Sequence, residues 1–172
     1  GSPPLKLSER PNPAARLTPL QRQRALQIYD EVKLSRVRGL ARRVLARAEA
    51  DESNYAKARR LAVELQDGAV YTLRPPVLPE GRDAADFFLF EGRRRGYCTY
   101  FAGALAMMCR TVGIPARVVS GFAGGDWDED KIVLRESNSH AWTEVWVPDY
   151  GWAVVDATPA DDEHASHDDH AS

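Results

Sequence analysis

Residues 96–122 read Gly-Tyr-Cys-Thr-Tyr-Phe-Ala-Gly-Ala-Leu-Ala-Met-Met-Cys-Arg-Thr-Val-Gly-Ile-Pro-Ala-Arg-Val-Val-Ser-Gly-Phe, and two kinds of order meet inside them. Phe101, Leu105, Met108, Cys109 and Val112 share one stripe at helical spacing. That stripe predicts a helix opening at about Cys98 and stopping at Gly113, with Pro115 beyond it. Gly103, Ala104 and Ala106 leave room for another element to approach closely. After Pro115 the β-rich half begins, and Ala116–Phe122 reads as a strand.

Upstream of this stretch the period is helical. The run Leu20–Leu34 carries it weakly. From Ser35 on, Val37, Leu40, Ala41, Val44, Leu45 and Ala48 form an amphipathic stripe, with Arg36, Arg38, Arg42, Arg43 and Arg47 off it on a solvated face. Ser53 is placed to cap a second helix bearing Tyr55, Ala58, Leu61, Ala62 and Leu65, with Asp67-Gly68 as its stop. Val70–Leu73 reads as a short extended piece closed by Pro75-Pro76. Residues 74–96 read as a loop containing Asp86, whose Phe87-Phe88-Leu89-Phe90 run is expected to pack under the helix opening at Cys98.

Downstream, an acidic loop at 124–131 precedes three strand-like runs, Ile132–Arg135, His140–Val147 and Trp152–Ala157. The last two are joined by a turn at Pro148-Asp149-Tyr150-Gly151. Helices first and an antiparallel sheet second make the fold class α+β. The expected organisation is an extended lead-in at 1–19 that opens on Gly1-Ser2-Pro3-Pro4, which resembles a protease scar, one domain over 20–160, and a flexible acidic tail over 161–172.

The 172 residues, 44% hydrophobic and 28% charged, suffice for one domain with a real core. The longest charge-free run, Gly96 to Cys109, is too short to span a bilayer. The net charge of −2 conceals a gradient: Lys/Arg against Asp/Glu is 14 to 7 over residues 1–66, 7 to 5 over 67–125, and 2 to 13 over 126–172. No basic run with interleaved aromatics accompanies the positive front half, so nucleic acid is not an expected partner.

Cys98 and Cys109 on one helix lie roughly 16 Å apart, beyond disulfide reach, and are expected to be free thiols. Asp126-Trp127-Asp128-Glu129-Asp130 imitates the start of a calcium loop, but Lys131 replaces the required glycine and Ser137 the closing glutamate. The tail histidines His164, His167 and His170 read as solvated residues and not as a metal site. No metal and no cofactor is expected.

The chemistry concentrates on three residues. Cys98 stands where a helix begins, and there the unpaired N–H groups and the positive dipole end favour a thiolate. Arg93, Arg94 and Arg95 would add positive potential if they face it, and Gly96 permits a sharp loop before it. Cys109, on the apolar stripe, reads as an inert core thiol. His140 is the sole histidine outside the tail, and Asp156 in the next strand is the acid best placed to orient it. In an antiparallel hairpin the two share a face only if the connecting loop has odd length or a bulge intervenes. With Trp146 opposite Trp152, His140 would lie diagonally from Asp156, about 7–8 Å between backbones.

Gly96–Ala102, Gly113–Phe122, Ser139–Trp146 and Gly151–Pro159, in that order, resemble the core of the bacterial transglutaminase-like superfamily over roughly residues 70–160. The chain is most similar to the extracytoplasmic transglutaminase-like domain of large bacterial membrane proteins. The resemblance implies a papain-like fold, with Cys98 as nucleophile on a central helix and His140 as base and Asp156 as orienting acid on the sheet. It implies acyl transfer from a glutamine side chain of a protein or peptide, through a cysteine thioester, to an amine. It further implies an extracytoplasmic location, with a cytoplasmic one left open, and transmembrane segments in the parent protein, although none is expected here.

The Cys98 backbone N–H is the natural oxyanion donor. Tyr71 or Tyr97 is a candidate second donor, each with simple packing as its competing role. Trp142, with Trp146 and Trp152, either walls an acyl-donor groove or packs in the core. Members of the group often carry an acidic residue and then a histidine after the cysteine, where this chain has Thr99 and Tyr100, a departure that bears on substrate preference. Two other readings stay open: the same triad used hydrolytically by a peptidase or amidase, and a catalytically idle peptide-binding module.

Overall fold

The structure, a computed structural model, describes residues 11–122, 126–128, 131–133 and 139–159. The opening Gly1–Pro4, the tail with its three histidines, and much of the calcium-loop mimic lie outside the described residues. Among the described residues the helices come in the order α1 (Pro19–Ala25), α2 (Ser35–Leu45), α3 (Asn54–Gln66), α4 (Ala84–Phe90) and α5 (Cys98–Thr111). The strands are β1 (Val70–Tyr71), β2 (Arg95–Gly96), β3 (Ala116–Phe122), β4 (Asp126–Asp128), β5 (Lys131–Val133), β6 (Ser139–Val147) and β7 (Gly151–Val155). The main sheet is antiparallel in the order β3-β6-β7, β4 pairs with β5, and β1 pairs in parallel with β2.

Local chemistry accounts for the helix ends. Ser53 Oγ accepts the Ala56 N–H at 3.1 Å at the start of α3, and Gly68, at φ +68°, follows its end. Gly113 stops α5 at φ +80°. The weak pattern over 20–34 resolves into the short α1, capped reciprocally by Thr18 and Gln21, and a turn in which Asp30 accepts the N–H groups of Val32 and Lys33. Helix α2 ends at Leu45, short of Ala48.

The expected loop at 74–96 is corrected by α4 and β2. Asp83 caps α4 by accepting from Ala85 and Asp86 N–H, and the aromatic run forms the helix instead of a loop. Phe88 meets Phe101 edge to face at 5.1 Å, so the expectation that these aromatics pack under α5 holds. The acidic loop at 124–131 likewise contains β4 and the first residue of β5, the end of the expected Ile132–Arg135 run lies outside the described residues, and the expected Trp152–Ala157 strand is β7, Gly151–Val155.

Helix α5 is the centre of the molecule, packed by α2, α3 and α4 and by β3 and β6. Phe101, Leu105, Met108 and Cys109 on it are completely buried, each apolar side chain of this size contributing roughly 2 kcal/mol. The odd-numbered residues Ala141, Thr143, Val145 and Val147 of β6 are buried as well, which fixes the strand's inner face. Thr143 Oγ1 donates to the Ala102 carbonyl at 2.9 Å, a buried staple between sheet and helix.

Candidate active site

Residue Tyr97 precedes α5 in extended conformation and supplies no side-chain cap, so Cys98 is the first residue of an uncapped helix. Its thiol is half-buried, whereas Cys109 is buried and burial pushes that thiol up to about 12. Both thiols are free.

Two features expected around Cys98 have a different physical cause. Gly96 is a strand residue paired with Tyr71, and its lack of a side chain is required by packing: a Cβ there would lie 2.8 Å from Tyr100 Cγ. The chain reversal is made instead by Arg93 and Arg94, at φ 56° and 54°. Arg94 turns away to the C-terminal end of α3, where its guanidinium donates to the Glu64 and Asp67 carbonyls and pairs with the Glu64 carboxylate. Its charge serves that helix end.

The histidine and the acid meet. Strand β6 pairs with β7 with Trp146 opposite Trp152 and Val147 opposite Gly151, so three residues, Pro148 to Tyr150, form the turn. Asp149 takes the left-handed conformation there, at φ 67°. The odd loop length puts His140 and Asp156 on one face as diagonal neighbours, and His140 Nε2 lies 2.6 Å from Asp156 Oδ2. Asp156 Oδ1 accepts the Thr158 N–H at 3.0 Å, so both carboxylate oxygens are held. This second contact is an Asx turn at the end of β7, so Asp156 is at once the strand-end turn residue before Ala157-Thr158-Pro159 and the partner of His140.

Cys98 and His140 stand at the same end of the α5/β6 pair. Trp146 N–H donates to the Pro115 carbonyl beyond the C-terminal end of α5, and the Thr143 staple meets Ala102. Continuing in that sense, His140 lies three residues, about 10 Å, further along β6 and Cys98 four residues, about 6 Å, further along α5.

The remaining candidates separate. Trp142 stacks on His140, with ring centroids 6.1 Å apart and planes at 28°. Trp146 and Trp152 form a T-shaped pair at 5.5 Å, covered by the Arg117 guanidinium 3.9 Å from the Trp152 ring, while Arg117 also pairs with Glu144 at 2.7 Å. That ion pair stands between Trp142 and the other two, so the three tryptophans do not build one wall. Tyr97 packs edge-on against Tyr100 at 4.8 Å. Tyr71 is half-buried beside Gly96. The departures Thr99 and Tyr100 line a cavity of about 460 Å³ between α5 and α4, together with Tyr97, Phe88 and Met107. On the helical wheel this cavity lies on the face of α5 opposite Cys98. Among the described residues no cluster of three or more His, Cys, Asp or Glu suits a metal ion.

A family model described as the transglutaminase-like superfamily matches residues 38–157, more than half of the chain. The chain belongs to the transglutaminase-like superfamily. It is 42% identical over 122 residues to a protein-glutamine gamma-glutamyltransferase of Pseudomonas aeruginosa, a match covering 66% of this chain and 18% of that protein. The periplasmic domain of TgpA from Pseudomonas aeruginosa, in a crystal structure with ethylmercury bound, superposes with a TM-score of 0.72 at 35% identity over 87% of this chain and 52% of that one. A cysteine protease fold from Cytophaga hutchinsonii superposes at 0.58 with 20% identity, covering 90% of this chain and 48% of that one. The papain-like, transglutaminase-like α+β class follows from these neighbours and from the helix-on-sheet architecture. The chain spans under a fifth of the Pseudomonas protein and about half of the TgpA domain. Among the described residues no helix is long and apolar enough to cross a membrane.

Proposed function

We propose that this domain transfers acyl groups from glutamine side chains of proteins, with Cys98 as nucleophile, His140 as acid and base, and Asp156 as the group that orients the imidazole. The observation carrying the reading is the 2.6 Å contact between His140 Nε2 and Asp156 Oδ2 at the end of the sheet that lies along the start of α5, where Cys98 is the first residue. Because Asp156 engages Nε2, Nδ1 is the nitrogen that takes the thiol proton.

The thiolate attacks the carboxamide carbon, and the resulting oxyanion is held by the Cys98 N–H, one of the helix-end amides outside the helical ladder. Tyr71 or Tyr97 is the candidate second donor. Collapse breaks the C–N bond, His140 delivers its proton to the departing ammonia, and a thioester remains on Cys98. A primary amine, losing a proton to His140, then attacks the thioester, forms the new amide and releases the thiol. Water in place of the amine yields glutamate. Similarity to an enzyme named for glutamyl transfer supports the acyltransferase reading, and similarity to a periplasmic domain supports an extracytoplasmic location within a membrane-anchored parent.

The test is mass spectrometry of a glutamine-rich protein incubated with a primary amine and either this chain or its Cys98→Ala variant. Amine adducts made by the unaltered chain alone are expected. Deamidation or backbone cleavage without adducts would replace the transferase by the hydrolase. The absence of any Cys98-dependent product would favour a peptide-binding role.

A further inference from the structure

We propose that Trp142 is the positioning residue of the His140–Asp156 pair, and that Gly121 is the seat that lets the indole lie there. The inference rests on the acid–base role given to His140 above.

On the outer face of the sheet, Gly121 of β3 stands directly opposite His140 of β6, and Val119 opposite Trp142. The indole does not simply cover its partner Val119. Its six-membered ring lies over Gly121, so that a Cβ built there would be 2.8 Å from Cη2 and 3.3 Å from Cζ3 of Trp142. The ring thus fills the space that any side chain at 121 would occupy, and from that seat it stacks on the imidazole. Gly121 has no positive φ, so its backbone gives no reason for a glycine; the indole does.

Trp142 Nε1 is buried, with no hydrogen-bond partner among the described residues. One edge of the imidazole is fixed by Asp156 Oδ2 and one face by the indole, which together determine where Nδ1 points. Trp142 acts through His140 and needs no contact with substrate.

The experiment compares Gly121→Ala, Trp142→Phe, Trp142→Ala and the double variant Gly121→Ala/Trp142→Phe by kcat and KM for Cys98-dependent amine incorporation, and by NMR of the His140 ring protons. Those signals are distinguished from the tail histidines by their loss in His140→Gln. Gly121→Ala should lower kcat about tenfold or more, with KM changed by less than about twofold, as expected for a catalytic group moved by a fraction of an ångström to an ångström. Trp142→Phe should lose least, because a smaller ring still stacks. The double variant should recover to within about twofold of Trp142→Phe. Losses that multiply in the double variant, or that fall on KM, would overturn the proposal. If the unaltered chain shows no Cys98-dependent turnover, the acyl-transfer reading fails separately and the spectra decide: His140 ring shifts displaced in Gly121→Ala and restored in the double variant support the seat, and shifts unmoved in Trp142→Ala overturn it.

Discussion

Iodoacetamide at pH 8 should modify Cys98 in the folded chain and spare Cys109. Cys109 is completely buried on α5, and burial pushes its thiol up to about 12. A group titrating there is thiolate in roughly one molecule in 10,000 at pH 8, against about one in four for an ordinary thiol near 8.5. Opening of the domain removes that barrier but imposes its own, since a stability of at least about 5 kcal/mol leaves no more than about one molecule in 5,000 open. By either route Cys109 is slower than an ordinary accessible thiol by about three orders of magnitude. Timed quenching, intact mass and peptide mapping give the two rates, and denaturant should raise the count from one adduct to two. Loss of amine incorporation should track the single adduct. Comparable labelling of Cys109 in the folded chain would refute the burial of α5, and with it the packing that sets Cys98 at the edge of the sheet.

Asp156→Asn should lower turnover about 10²- to 10⁴-fold with little change in Tm, because the amide oxygen can still accept from Thr158 while the carboxylate's hold on Nε2 is lost; steady-state kinetics beside a thermal melt checks this. Thr143→Val should cost about 1 kcal/mol by removing the staple to Ala102 while keeping its shape, a fall in Tm of about 2–4 °C by calorimetry. Asp86 provides the acid limb: burial raises its carboxyl, but hydrogen bonds from Arg36, at 3.0 and 2.6 Å, and from Arg82 outweigh this and hold it below the usual carboxylate range. Glu91 is held low by Arg82, against burial and with help from Arg36. A depressed folded value means that the stabilisation is complete above the unfolded carboxylate value, about 4, and is lost as pH falls through the folded one. Tm should be level from pH 7 to about 5, drop below about 4, and drop less steeply in Arg36→Gln, as read by melts across that range.

Arg36 also shows where sequence reading stops. Periodicity assigns it to a solvated helix face, and its side chain is half exposed, yet it reaches Asp86 fifty residues away and lies over the Phe90 ring at 4.8 Å. Helix α4, which carries Asp86, was itself hidden. Seven residues with four consecutive apolar ones have no distinguishable period, and the Asp83 cap is a signal only once a helix is suspected.

What the sequence determined by itself was whatever a residue imposes on its neighbours within a turn or a hairpin. The start of α5 at Cys98, its stop at Gly113, the Ser53 cap and the limits of β3 follow from helical period, capping and strand pattern. For His140 and Asp156 the sequence states only a parity condition, which the three-residue turn Pro148–Tyr150, one residue shorter than the expected Pro148–Gly151, satisfies in the structure. The tertiary structure alone decided the parallel pairing of β1 with β2, the seat of Tyr100 on Gly96, the use of Arg94 at the end of α3, and the indole of Trp142 over Gly121. Each of these joins residues whose nearness exists only after the chain has closed loops around α5. Their energy is packing and desolvation of surfaces that no local pattern encodes.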